Sequence, residues 1–174
     1  FAKTLKDAKI NSVTVFAKCH HGCFYYKGSK FFVHPGMQGS LLDEQLDACK
    51  KAGVSAKIYI SAGIDEHVSR QHPEWLRREK YGEDQAAKGF RRLCFNSEYL
   101  DILKEQTREV VERYKPDGVF FDIISTWPCY CDNCLAEMKR RGLDPKDEKQ
   151  AQIVNDEVNM RYFKEINAVV KSVS

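Results

Sequence analysis

Short segments rich in β-branched and aromatic residues, separated by helical patterns, constrain this chain more than any other feature. Three of them stand out: residues 12–18 (Ser-Val-Thr-Val-Phe-Ala-Lys), 56–61 (Ala-Lys-Ile-Tyr-Ile-Ser) and 118–124 (Gly-Val-Phe-Phe-Asp-Ile-Ile). Runs of this character mark strands buried on both faces of a parallel sheet. Residues 90–95 (Phe-Arg-Arg-Leu-Cys-Phe) form a weaker fourth. Between them Ser40 can cap a helix with Leu42, Leu46 and Cys49 on one face, ending at Gly53. Asn96 or Ser97 starts a longer one with Leu100, Leu103, Thr107, Val110, Val111 and Tyr114 on one stripe, stopped by Pro116. A short helix over residues 132–138 ends at Gly142. A final one over 147–173 repeats Val154, Val158, Tyr162, Ile166, Val169 and Val173 at helical spacing.

The order β-α-β-loop-β-α-β-α-α implies an α/β fold, a parallel sheet with right-handed crossovers. Two architectures fit, an open doubly wound sheet or part of a TIM (β/α)₈ barrel. No Gly-x-Gly-x-x-Gly fingerprint follows any strand; Gly22 and Gly28 lack that spacing. A whole barrel takes about 250 residues. Four strands in 174 residues would therefore be its N-terminal half. The long loops at 19–39 and 62–89 both follow strand ends, where α/β folds build their sites.

No repeat, low-complexity tract or Gly/Ser/Pro linker interrupts the sequence, so residues 1–174 read as one domain. The 28 basic and 25 acidic residues give a net charge of +3 spread along the chain, which argues against a nucleic-acid partner. No apolar stretch approaches membrane-spanning length and no leader is visible. The first residue is Phe1 rather than Met, as expected of a processed form or an excised piece.

Asp122 closes a hydrophobic strand. A carboxylate there is expensive to bury unless it is paired or used. At a barrel mouth it would act as a nucleophile or acid/base; alternatively it holds a turn through backbone hydrogen bonds. Cys129-x-Cys131-x₂-Cys134 can wrap one tetrahedral ion, by default zinc. Cys94 is the candidate fourth ligand, because it closes the segment expected to lie beside the Asp122 strand. Four thiolates make a closed structural site; the plainer alternative is a set of buried free thiols. An odd count of seven cysteines opposes a fully paired disulfide framework, and reduced thiolates slightly favour a cytoplasmic setting.

His20 and His21, followed by Tyr25 and Tyr26, suit recognition of a polyhydroxylated ligand; a second metal site with Cys19 and Cys23 would be crowded. Trp75, in His72-Pro73-Glu74-Trp75, either stacks on a ligand or plugs the barrel rim. Tyr59 and Ser61 end the second strand and reach toward the pocket, while Asp65, Glu66 and His67 are supporting groups or solvated charge. Arg91, Arg92 and Asn96 flank Cys94 and can bind an anion or hydroxyls. No Ser-His-Asp order, nucleophile elbow, P-loop or His-Glu-x-x-His is present.

One set of motifs occurs together: Ala17-Lys18-Cys19-His20-His21-Gly22, Tyr25-Tyr26, His34-Pro35-Gly36, His72-Pro73-Glu74-Trp75, Cys94-x-Asn96-Ser97, Asp117-Gly118-x₃-Asp122 and the cysteine cluster. Together they resemble the glycoside hydrolases called hypothetical glycosyl hydrolase 6, which are similar to α-L-fucosidase and family 42 β-galactosidase barrels. The likeness spans about residues 10–145. It implies a (β/α)₈ barrel acting on a carbohydrate substrate, with no cofactor for catalysis. In the fucosidase-like relatives an Asp ending the fourth strand is the nucleophile, and Asp122 matches it. In the family 42 enzymes a Glu at that strand end is the acid/base, followed by a zinc cluster matching Cys94, Cys129, Cys131 and Cys134. His20 and His21 match sugar-contacting positions. The second carboxylate such enzymes need would lie on a later strand, supplied by further residues of the parent chain or by another copy. The expected function is a retaining glycoside hydrolase; the alternative is a non-catalytic carbohydrate-binding or zinc-stapled scaffold domain.

Overall fold

The computed structural model describes residues 1–87 and 89–173. A short helix, α1 (Ala2–Asp7), precedes β1 (Ser12–Lys18), α2 (Leu41–Ala52) and β2 (Ser55–Ser61). The excursion after β2 carries α3 (Glu66–Gln71), a 3₁₀ turn (Pro73–Trp75) and two two-residue strands, β3 (Ala86–Ala87) and β4 (Phe90–Arg91). Then come α4 (Tyr99–Tyr114), β5 (Val119–Asp122), α5 (Asp132–Arg140) and α6 (Glu148–Lys171). No helix among the described residues is long and apolar enough to cross a membrane.

Helix limits follow local chemistry. Ser40 stands at the N-cap of α2, although its hydroxyl accepts from Lys27 N rather than from the helix. Gly53 ends α2 in the left-handed region, at φ 68°, where glycine carries no Cβ penalty. The α4 helix begins just after the Asn96-Ser97 signal, with Glu98 at its N-cap, and stops at Lys115 before Pro116. The Asp147 side chain accepts from Lys149 N and caps α6.

β1, β2 and β5 form one parallel sheet in that order, with Phe16 opposite Tyr59, Tyr59 opposite Phe120, and Ser61 opposite Asp122. Val15, Ala17, Ile58 and Ile60 are buried in the core, where α2 lies against β1 and β2 and α6 packs on α4 and α5. The other face carries a row of three rings: Phe16 and Tyr59 lie 4.2 Å apart, Tyr59 and Phe120 5.8 Å. Phe16 and Phe120 remain 46% and 52% exposed.

The segment 90–95 departs from expectation. It is not a parallel strand beside Asp122, and that place is taken by β2, so Asp122 ends the third strand of the parallel sheet and not a fourth. Antiparallel partners within the excursion claim its backbone instead. Arg92 O accepts from Arg77 N at 2.8 Å, Leu93 N donates to Gly63 O at 2.9 Å, and Cys94 N donates to Trp75 O at 2.8 Å. A short apolar run specifies extended backbone but not its partner.

Candidate functional site

Asp122 stands where β5 gives way to the loop toward α5. Its Oδ2 accepts the Tyr59 hydroxyl at 2.7 Å, and its Oδ1 accepts Ile123 N at 2.8 Å. Register explains the first bond, because Tyr59 lies on the adjoining strand two residues before Ser61, which faces Asp122 across the ladder. The second bond fixes a strained turn: Ile123 has φ 65°, a left-handed conformation that β-branched residues rarely adopt. Gly63 makes this turn possible, since a Cβ there would overlap the Ile123 carbonyl oxygen. One carboxylate oxygen thus pins a loop and the other is held by a phenol. Burial and the neighbouring Asp122 carboxylate push the Tyr59 phenol upward, which keeps it the donor.

His20 completes this corner. The Ser61 hydroxyl donates to Ile64 O at 2.7 Å, so in its 2.7 Å contact with His20 Nδ1 the imidazole N–H donates. Nε2 is left as an acceptor. Burial lowers the His20 pKa, opposed by Asp122 and aided by His21, Lys18 and Arg92. The ring is therefore neutral near pH 7. Phe90 packs edge-on against both His20 and His21.

Arg92 lies within electrostatic reach of Asp122 and His20. Its Nη1 donates to Ser125 Oγ at 3.1 Å, and its guanidinium sits 4.7 Å from the centre of the Trp127 ring. The other sequence candidates are placed elsewhere. His21 helps line a cleft of about 430 Å³ with Tyr25, Phe32, His34 and His67; Asp122 is not in its walls. Trp75 is buried at 8% exposure and stacked on His72 at 3.7 Å. Asn96 serves the cysteine cluster: its N donates to Cys94 Sγ, its Nδ2 to Cys134 Sγ, and its Oδ1 accepts from Arg161.

Three further residues shape this region. Lys18 is fully buried at the end of β1, where Nζ reaches Asp65 Oδ2 at 3.0 Å and Gln106 Oε1 at 2.8 Å. Arg77 is buried too; it donates to Trp127 O, to Asn155 Oδ1 and to Gln85 Oε1, while Gln85 donates to Pro128 O. Trp127, the third, is 39% exposed. A lysine closing an apolar strand and a tryptophan two residues before a cysteine cluster were the available signals.

Cys94, Cys129, Cys131 and Cys134 are all buried, with their sulfurs within 4.8 Å of one another and Cys94 Sγ 3.6 Å from Cys134 Sγ. Zn–S bonds of about 2.3 Å put the sulfurs of a tetrahedral site about 3.8 Å apart, so this set fits one four-coordinate ion. Cys94 thus reaches the cluster from the antiparallel excursion rather than from a neighbouring parallel strand.

The parallel sheet alternating with helices is that of a portion of a (β/α)₈ barrel, and Asp122 stands at the carboxyl end of its strand, the face on which such barrels build their sites. The chain belongs to the hypothetical glycosyl hydrolase 6 family, whose model matches residues 1–123. Among solved structures it is similar to α-L-fucosidase isoenzyme 2 from Paenibacillus thiaminolyticus, with 34% identity and a TM-score of 0.94, over 99% of this chain and 27% of that one. The β-galactosidases from the psychrophilic Marinomonas ef1 (15% identity, TM-score 0.74) and from Rahnella sp. R3 (14%, 0.77) share the fold. Each aligns with 99% of this chain, which covers 33% and 31% of them respectively. The chain thus spans about a third or less of these proteins. No match is found among curated proteins.

Proposed function

We propose that the protein is a retaining glycoside hydrolase and that Asp122 is its nucleophile. The observation carrying this is the hydrogen bond from Tyr59 to Asp122 at the carboxyl end of the sheet, beside neutral His20 and cationic Arg92. In this reading the Asp122 carboxylate attacks the anomeric carbon as the glycosidic C–O bond breaks, and water later releases the sugar. Tyr59 orients the carboxylate, and His20 Nε2 accepts from a sugar hydroxyl. The hydrogen-bond partners of Asp122 among the described residues are the Tyr59 hydroxyl and Ile123 N, and in this reading the acid that protonates the leaving oxygen comes from another part of the protein or a second copy. Fucosides and β-galactosides are the first substrates to try, after the names of the similar structures.

The four cysteines hold a structural zinc in this proposal, with every coordination position filled by protein and none open for catalysis. Their reduced state fits a cytoplasmic setting. A non-catalytic carbohydrate-binding or zinc-stapled domain is the competing reading, favoured by the bond that commits Asp122 Oδ1 to Ile123 N. Turnover of p-nitrophenyl glycosides by the full-length protein separates the two. Asp122→Asn is expected to abolish release of p-nitrophenol while leaving the unfolding midpoint within a few degrees of wild type. Full activity in that variant sinks the nucleophile assignment.

A further inference from the structure

We propose that Trp127, backed by Arg92, is the platform on which a pyranose ring of the substrate stacks. This inference rests on the glycoside-hydrolase reading and adds a binding residue to it. Trp127 is 39% exposed, yet its backbone is firmly held, because the buried Arg77 donates to its carbonyl and Gln85 donates to that of Pro128. The indole stands five residues beyond Asp122, and Arg92, which packs on it, lies within electrostatic reach of that carboxylate. The Arg92 guanidinium lies over the ring at 4.7 Å. Sugars offer C–H faces that suit such a surface, with hydroxyls at the rim.

The cysteine cluster explains why the pair holds its spacing. Arg92 precedes Cys94 by two residues and Trp127 precedes Cys129 by two, so both arms are tethered to the same four thiols. Arg92 is also held by its backbone, its N donating to Gln85 O and its O accepting from Arg77 N, both at 2.8 Å.

The test compares Trp127→Ala, Trp127→Phe and wild type in the full-length protein, using p-nitrophenyl α-L-fucoside and p-nitrophenyl β-D-galactoside as substrates. Tryptophan emission is followed as free L-fucose or D-galactose is added. For the substrate that is turned over, Trp127→Ala is expected to raise KM about tenfold, with kcat changing much less, and Trp127→Phe to recover most of the loss. Sugar is expected to shift the emission of wild type but not of Trp127→Phe. An emission shift without any turnover supports the platform while overturning the hydrolase reading. Unchanged KM in Trp127→Ala, or a sugar-dependent shift that persists in Trp127→Phe, overturns the platform even if Asp122→Asn is inactive.

Discussion

Tyr59 and Asp122 show how much a single register match can decide. Their bond exists because β2 and β5 lie side by side with Ser61 opposite Asp122. A hydrogen bond to a charged group contributes about 1.5–3 kcal/mol. Under the proposed hydrolase reading, Tyr59→Phe is therefore expected to lower turnover by the full-length protein about ten- to a hundredfold, read from kcat/KM on an aryl glycoside. A change below twofold would mean that the phenol plays no part in orienting the carboxylate. Asp122, His20, Tyr59 and Arg92 were all legible as candidates, because polar groups ending apolar strands or flanking them stand out. Trp127 was not, since its relation to Arg92 depends on two loops meeting.

Elements are joined by buried polar groups that a hydropathy pattern hides. Lys18 at the end of β1 pairs with Asp65 at the N-cap of α3, and Gln106 of α4 bonds to both. Burial depresses the Lys18 ammonium and Asp65 opposes that effect. Breaking such a pair by removing one partner costs about 3–5 kcal/mol, because the other charge stays buried alone. Lys18→Met should destabilise by that amount in denaturant unfolding, and adding Asp65→Asn should recover part of it. A cost below about 1 kcal/mol would show that the pair is dispensable. The cysteine cluster joins the excursion after β2 to the loop before α5. Metal removal by a strong chelator should lower the unfolding temperature and shift Trp127 emission toward that of a solvated indole, with about one zinc released per chain. Bound metal absent from the purified protein, with an unchanged melting curve after chelation, would leave the cluster as free thiols.

The whole molecule has one covered sheet face and one open face. Phe16 and Phe120, about half exposed, lie on the open side with Tyr59 between them. In a closed (β/α)₈ barrel that side is interior, filled by layers of side chains from the other strands. The chain covers only 27% of the fucosidase structure that it matches. Residues 1–174 expressed alone should therefore bind an apolar dye and self-associate at micromolar concentration, and Phe16→Ser with Phe120→Ser should reduce both. A monomeric, dye-silent product in light scattering would show that this face needs no cover.

The alternation of apolar strands with amphipathic helices fixed the parallel α/β class, the limits of α2, α4 and α6 to within a residue or two, and the cysteines fit to hold a metal. These depend on periodicity, capping and ligand chemistry, which are local properties of the chain. Strand adjacency was not local. Residues 90–95 have the composition of a sheet strand, but their backbone is bonded to that of the preceding excursion, and β5 pairs with β2. Tertiary structure alone therefore decided that Asp122 meets Tyr59, that Asn96 turns to the thiols, that Trp75 is walled into the core and that Trp127 stays open beside Arg92. Each of these is a contact between segments distant in sequence, settled by which buried donors and acceptors could find partners once the chain had collapsed.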